Sequence, residues 1–263
     1  MNIIVCLKQV IDPEAPPASF KIDASGLKVV PPAGIAPVLD PYSEFALEAA
    51  LRIKDAQGGK ITAITLGSDL MMDVVKKPLA MGADELVLLD DPALADGDSW
   101  TTASALAVAI KKIGEYDLIL CGRQAADWDA GQVGSGIAEL LGLPSVTIVQ
   151  KITAASGKVT VERATDDGHE FIEVPLPAVL TIGNGIGEVR YPNIKGIMAA
   201  KRKTPVIWKA ADLGLDAAAS SRKLKLVRLF QPVREGKCLV IGADTPEEAA
   251  AALALKMRED KLF

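Results

Sequence analysis

Apolar residues in this 263-residue chain come in short β-branched runs separated by stretches of helical spacing. Residues 2–7, 60–66, 85–89 and 116–121 are continuous apolar runs with polar flanks, the pattern of parallel strands buried on both faces. Between them the period lengthens. Asp40 as N-cap and Pro41 at the first helical position open a helix to about residue 55, with Phe45, Ala46, Ala49 and Ile53 on its apolar face. Ser68 is expected to cap a helix reaching Met81, and Asp98 or Ser99 to open another through Ile113. Regular alternation of this kind predicts an α/β fold with a doubly wound, mostly parallel sheet, Rossmann-like and of the adenine-nucleotide-binding type. Right-handed crossovers then place ligands at the carboxyl ends of the strands, so the loops after Leu7, Leu66 and Cys121 share one edge.

Past Gly142 the pattern changes to short runs, 144–149, 158–163, 170–174 and 178–182, separated by turn signals, which adds antiparallel hairpin strands. Gly183, Gly185 and Gly187 follow a strand, but Pro192 interrupts what comes next, so a flexible loop is expected rather than a dinucleotide fingerprint. A short helical stretch from Asn193 closes on Lys201, Arg202 and Lys203, where basic residues suit a helix C-terminus. Residues 220–225 read as a linker. Thr245-Pro246-Glu247-Glu248 then combines a capping box with proline at the first helical position and starts a helix to about residue 260. The expected organisation is a nucleotide-binding α/β domain over 1–222 and a C-terminal arm and helix over 223–263 that packs on a partner.

The focal stretch is 119–142, a strand, a polar loop and a helix. Asp129 with Gln132 has the spacing of a capping box; Val133, Ile137 and Leu140 recur at helical intervals, and Gly142 ends the run. Gly131, Gly134 and Gly136 would sit in the first turns, where glycine weakens a helix, so bare backbone there serves either a phosphate on the helix N-terminus or tight packing on a neighbour. Asp127 is expected nearer a sugar than a phosphate, since a carboxylate repels the latter. Asp127 and Asp129 as Mg²⁺ ligands are the alternative. Trp128 either stacks on a base or anchors the loop.

A net charge of -5 with interspersed signs argues against a nucleic-acid surface. Cys6, Cys121 and Cys238 lie far apart in apolar runs and offer neither a disulfide framework nor a CxxC site. With no basic leader and no membrane-length apolar span, a cytoplasmic protein without membrane insertion is expected. The only histidine, His169, lies in a hairpin turn among carboxylates, and no catalytic triad, acid–base pair or metal site assembles around it. Nucleotide binding without evident bond chemistry remains.

Three separated segments carry a family resemblance. Residues 161–172 (Val-Glu-Arg-Ala-Thr-Asp-Asp-Gly-His-Glu-Phe-Ile), followed by 177–181 (Pro-Ala-Val-Leu-Thr), resemble the signature of electron transfer flavoprotein β subunits. Residues 190–198 (Arg-Tyr-Pro-Asn-Ile-Lys-Gly-Ile-Met) resemble that family's partner-recognition loop, and Gly122-Arg123-Gln124-Ala125 with Asp127, Asp129, Gln132 and Gly134 its adenine-nucleotide loop. Residues 5–10 and 40–42 also fit. The resemblance implies a heterodimer with an α subunit that makes most contacts to a shared FAD, transient partnership with flavin-dependent dehydrogenases, and a quinone-linked or ferredoxin acceptor. The cofactor would carry the redox chemistry, which accounts for the missing catalytic residues. In the β pocket it implies AMP, or a second FAD in electron-bifurcating members. By resemblance the lining would include Cys6, Asp40, Pro41, Tyr42 and Leu66, then Gln124, Ala125, Asp127, Asp129, Gly131, Gln132, Val133 and Gly134. Partner recognition would fall to Arg190, Tyr191, Ile194 and Ile197, with Ile194 where the family commonly has leucine. Trp128, where bifurcating relatives often have glycine, argues for AMP, whereas Asp98-Ser99 and Thr102 resemble the bifurcating type. Two other classes share the expected architecture: a universal-stress-like nucleotide-binding regulatory module, and an ATP-pyrophosphatase-like enzyme, which lacks its phosphate loop here.

Overall fold

Local apolar runs become nine strands of one sheet: Asn2–Leu7 (β1), Lys60–Gly67 (β2), Glu85–Asp90 (β3), Leu118–Gly122 (β4), Ser145–Ala155 (β5), Lys158–Thr165 (β6), Gly168–Pro175 (β7), Ala178–Ile182 (β8) and Val206–Trp208 (β9). The structure is a computed structural model and describes residues 1–215, 221–232, 236 and 238–262. The spatial order is β7-β6-β5-β8-β4-β1-β2-β3-β9. Every neighbouring pair is parallel except β5–β6 and β6–β7, the expected hairpin strands.

Helices Pro41–Gln57 (α1), Met72–Val75 (α2), Lys77–Met81 (α3), Ser99–Ile113 (α4), Val133–Leu141 (α5), Ile194–Arg202 (α6) and Ala210–Leu213 (α7) cover the sheet. Its two faces feed separate cores because strand side chains alternate. Ile3, Val5, Leu118 and Leu120 join Leu47 and Leu51 of α1 and Leu79 of α3. Ile4, Cys6, Ile119 and Cys121 join Leu106 and Ile110 of α4 and Ile137 of α5. Burial on both faces is why β1 and β4 read as unbroken apolar runs.

Several caps lie where expected. Asp40 accepts from Ser43 N at 2.8 Å at the start of α1, and Asp98 with Thr101 forms a reciprocal capping box on α4. Other expectations need correction. The helix expected from Ser68 begins at Met72 and is split at Lys76, because Asp69 has positive φ and Pro78 withholds a backbone donor. The strand expected over 144–149 runs on to Ala155, extended by pairing with β6. The glycine-rich stretch after β8 is no loose loop. Asn184–Ile186 makes a 3-10 turn with Ile186 buried, and the positive φ of Gly187 lets the chain pass against the Arg52 guanidinium, where a Cβ would lie 3.3 Å from Nη1.

The chain divides into two compact units, Met1–Val227 and Arg228–Phe263. Within the first, the backbone N–H groups of Lys223 and Leu224 donate to Asp98 Oδ2 at 2.5 and 2.8 Å. The second contains Pro246–Glu259 (α8), capped by Thr245, whose hydroxyl accepts from Glu248 N at 3.2 Å.

Candidate functional site

Parallel pairing of β1 with β2 and β4 brings Cys6, Leu66 and Cys121 to one carboxyl edge, Cys6 directly beside Cys121. Asp40 joins two elements there. Its Oδ2 accepts from Ser43 N and, at 3.0 Å, from Ser43 Oγ, while Oδ1 accepts from Ala126 N at 2.8 Å, so one fully buried carboxylate ties the start of α1 to the loop after β4. Burial pushes the Asp40 pKa up, against the pull of those N–H donors, and the charge of Asp127 adds to the rise. Gly122 is required by the same join, because a Cβ there would lie 2.7 Å from Tyr42 backbone carbon. Pro41 occupies the first turn of α1 and Tyr42 follows, its hydroxyl accepting from Gln124 Nε2 at 3.3 Å and its ring lying 5.6 Å from the Arg123 guanidinium carbon.

The 123–132 loop is organised by Lys8 from the end of β1 and by bonds among its own residues. Lys8 Nζ pairs with Asp127 Oδ1 at 2.7 Å, and Gln124 Nε2 donates to Asp129 Oδ1 at 2.6 Å. Ala125 carbonyl accepts from Asp129 N at 2.8 Å. Asp129 therefore does not cap α5, contrary to the sequence expectation; it adopts φ 49° in a tight turn and gives its carboxylate to Gln124. Gln132 occupies the N-cap position with helical dihedrals and no capping side chain, so the N–H groups at Val133 and Gly134 start the helix without one. Asp127 and Asp129 are drawn to different partners.

Two of the three glycines serve packing. A Cβ on Gly134 would lie 2.5 Å from Thr181 Cγ2, and one on Gly136 would lie 3.0 Å from Ala103 Cβ, so α5 sits close on both β8 and α4. Gly131 lies outside the helix, in a left-handed turn at φ 63°. Beneath the edge Cys6 and Cys121 are buried; the hydrogen bond with Cys121 and burial keep the Cys6 thiol well above the ordinary thiol range. Trp128 is 58 % exposed and does not fill the edge.

A second cluster forms around α6. Asn193 caps this helix through Gly196 N at 2.8 Å, and Gly196 lies so close to Ala80 carbonyl that no Cβ fits. Tyr191 is 90 % exposed and Ile194 79 %, with Ile197 and Met198 also exposed, an apolar group on the surface. Arg190 does not share this surface; it turns inward to Glu48 and Asp55.

Residues 29–213 match the electron transfer flavoprotein domain family. The chain belongs to the electron transfer flavoprotein β-subunit family. It is 44 % identical over 217 residues to the electron transfer flavoprotein subunit beta of Thermoanaerobacterium thermosaccharolyticum, covering 82 % of this chain and 81 % of that one. It is 38 % identical over 260 residues to the subunit of the same name from Megasphaera elsdenii, covering 95 % and 94 %. It is 39 % identical over the full length of both chains to the caffeyl-CoA reductase-Etf complex subunit CarD of Acetobacterium woodii. Its role is thus that of the β subunit in an electron transfer flavoprotein complex, which sets aside the universal-stress and pyrophosphatase-like alternatives.

In this β subunit the signature segment forms the β6–β7 hairpin and β8. His169 lies on the exposed edge strand with Nδ1 3.3 Å from Glu162 Oε1. No described helix is long and apolar enough to cross a membrane. Sequence reasoning missed Glu48, which is 3 % exposed in α1 and holds the segment leading to the exposed cluster. The available local signal was the Glu48/Arg52 spacing of four on a helix.

Proposed function

We propose that this β subunit binds an adenine nucleotide, AMP, at the carboxyl edge of its sheet and, paired with an α subunit that makes most of the contacts to an FAD, passes electrons from flavin-dependent dehydrogenases to a quinone-linked or ferredoxin acceptor. The carrying observation is convergence: Cys6, Asp40–Tyr42, Leu66 and the 124–134 loop meet at one edge beside an α5 N-terminus that no side chain caps. That helix end would receive the phosphate on the N–H groups near Gly131 to Gly134, and Asp127, partly neutralised by Lys8, would lie nearer the sugar. The FAD would supply reversible electron uptake; this chain's part is to bind, orient and present.

A second FAD in the β pocket is the second reading, because the exposed ring of Trp128 leaves the edge unblocked. AMP is preferred because the start of α4, whose N–H groups would have to meet the extra phosphate of an FAD, is occupied by Asp98. Its carboxyl resists burial's upward push through N–H donors from Thr101, Leu224 and Lys223, which lower its pKa to about 2, so it stays anionic and repels phosphate. Acid extraction of the purified heterodimer should release one FAD and one AMP. Two FAD without AMP would replace the AMP assignment with the bifurcating one; a single FAD and no other nucleotide would remove the phosphate site.

The exposed cluster on α6 would be the dehydrogenase contact, with Ile194 as its anchor. Ile194→Ala should raise the dehydrogenase's KM for the heterodimer roughly tenfold, the loss expected for a central apolar anchor, while flavin content stays unchanged. Flavin loss with unaltered dehydrogenase kinetics would show that the cluster serves assembly instead. Finally, the C-terminal arm would pack on the α subunit: it lies beyond the matched domain, yet the full-length alignment to a subunit of a larger complex includes it.

A further inference from the structure

Tyr191 and Ile194 are too exposed to be positioned by packing of their own. Their placement must come from where the chain leaves the core on one side and from the α6 cap on the other. On the first side the anchor is a buried carboxylate far away in sequence. Glu48 Oε2 accepts from Arg190 N at 3.2 Å and Nε at 2.9 Å, and Oε1 accepts from Arg190 Nη2 at 3.1 Å and Arg52 Nε at 2.9 Å. Arg52 continues the clamp: Nη1 donates to Ile186 carbonyl and Nη2 to Glu188 carbonyl at 2.8 Å. Gly187, between those carbonyls, runs against the same guanidinium, and Arg190 Nη2 also reaches Asp55 Oδ2 at 2.8 Å. About two turns of α1, from Glu48 to Asp55, thus grip residues 186–190, immediately before the exposed cluster.

We propose that Glu48 is a positioning residue for partner docking, fixing through Arg190 and Arg52 the direction in which residues 191–194 are presented to the dehydrogenase. The inference rests on the dehydrogenase-contact reading of Tyr191 and Ile194. A preordered surface spares the complex the entropy of ordering it on association, so loosening the clamp weakens encounter while electron transfer in the formed complex proceeds as before. A network serving stability alone would lower the melting temperature and leave docking untouched.

The test uses the intact heterodimer and the flavin dehydrogenase that reduces the wild type. Glu48→Gln keeps the shape and one acceptor oxygen but removes the charge gripping both arginines. It should raise KM for the heterodimer roughly fivefold with kcat and FAD content unchanged, and amide exchange over residues 187–193 should quicken at least roughly tenfold relative to β1. Combined with Ile194→Ala, it should add little to the KM of Ile194→Ala alone, because both act through one contact. Arg190→Lys keeps the charge and the backbone bond yet loses the fork, so a rise of about twofold in KM is expected from a variant with little risk of misfolding. A lowered melting temperature with wild-type KM in both variants would overturn the clamp, as would multiplicative effects in the double variant. An Ile194→Ala heterodimer with wild-type KM would instead overturn the docking reading, and the clamp's role with it.

Discussion

A heterodimer carrying Asp40→Ala should lose the adenine nucleotide proposed for its sheet edge and melt roughly 5–10 °C below wild type. Asp40 does two jobs at zero exposure. It caps α1, worth about 1 kcal/mol, and it satisfies the Ala126 N–H, whose loss of an acceptor costs about 1–3 kcal/mol in a buried setting. Removing a desolvated carboxylate returns part of that. Loss of the tether frees the 123–132 loop, and with it the surface on which the nucleotide would rest. Asp40→Asn separates the two effects, since one oxygen still accepts. Burial holds the folded Asp40 pKa above its unfolded value, so the folded state binds the proton more tightly. Wild-type stability from this group is highest below the ordinary carboxylate range and falls as pH rises through the raised folded pKa. The asparagine variant should lack that decline. Calorimetry across acidic pH, with nucleotide extraction at neutral pH, checks both points; full nucleotide content and an unchanged melting curve in Asp40→Ala would refute the tether.

Truncation after Val227 should weaken the heterodimer at least tenfold, about 1.4 kcal/mol, and leave nucleotide content of the remaining complex unchanged. Helix α8 has 14 residues and none of them is buried. Its local chemistry is sound: Thr245 caps it, Glu247 and Glu248 occupy the first turn, and Lys256 and Arg258 the last, so charges complement the helix dipole. Yet a helix of this length is marginal alone in water and draws stability from a packed face. Leu253 shares a helix face with Ala249 and Met257 and is 49 % exposed, so covering it recovers about half of the 1.5–3 kcal/mol of a fully exposed leucine. The expected tenfold is therefore what covering this one face could supply. Sedimentation of the truncated heterodimer over a dilution series measures it. Unaltered dissociation would mean that the arm contributes nothing to pairing.

What was legible in the sequence is what neighbours in sequence decide. Apolar runs at 2–7 and 118–120 state a doubly buried strand by themselves, and the caps at Asp40, Asp98 and Thr245 are bonds across three residues, within reach of any local pattern. Exposure at 191 and 194 was legible only through the family resemblance of residues 190–198, since Ile194, Ile197 and Met198 have the spacing of an ordinary helix face. Asp129 shows where this fails. Its spacing to Gln132 is that of a capping box, but the loop before it brings Gln124 to the carboxylate, and the turn's left-handed dihedral moves Asp129 out of capping position. Gly134 and Gly136 were equally compatible with an anion or a neighbour, and only the arrival of Thr181 and Ala103 against α5 decided for packing. Arg190 looked like part of a docking surface because a surface arginine and an anchoring one have the same sequence. Its carboxylate partner lies 142 residues earlier, on α1. The sequence by itself determined every strand of the sheet but Val206–Trp208, the helix starts at Asp40, Asp98 and Thr245, and the edge at which a nucleotide would lie, because these follow from local periodicity and bonds closed within one turn. The tertiary structure alone decided which polar groups at that edge and around α6 are already bonded, because those partners meet only when distant segments are folded together.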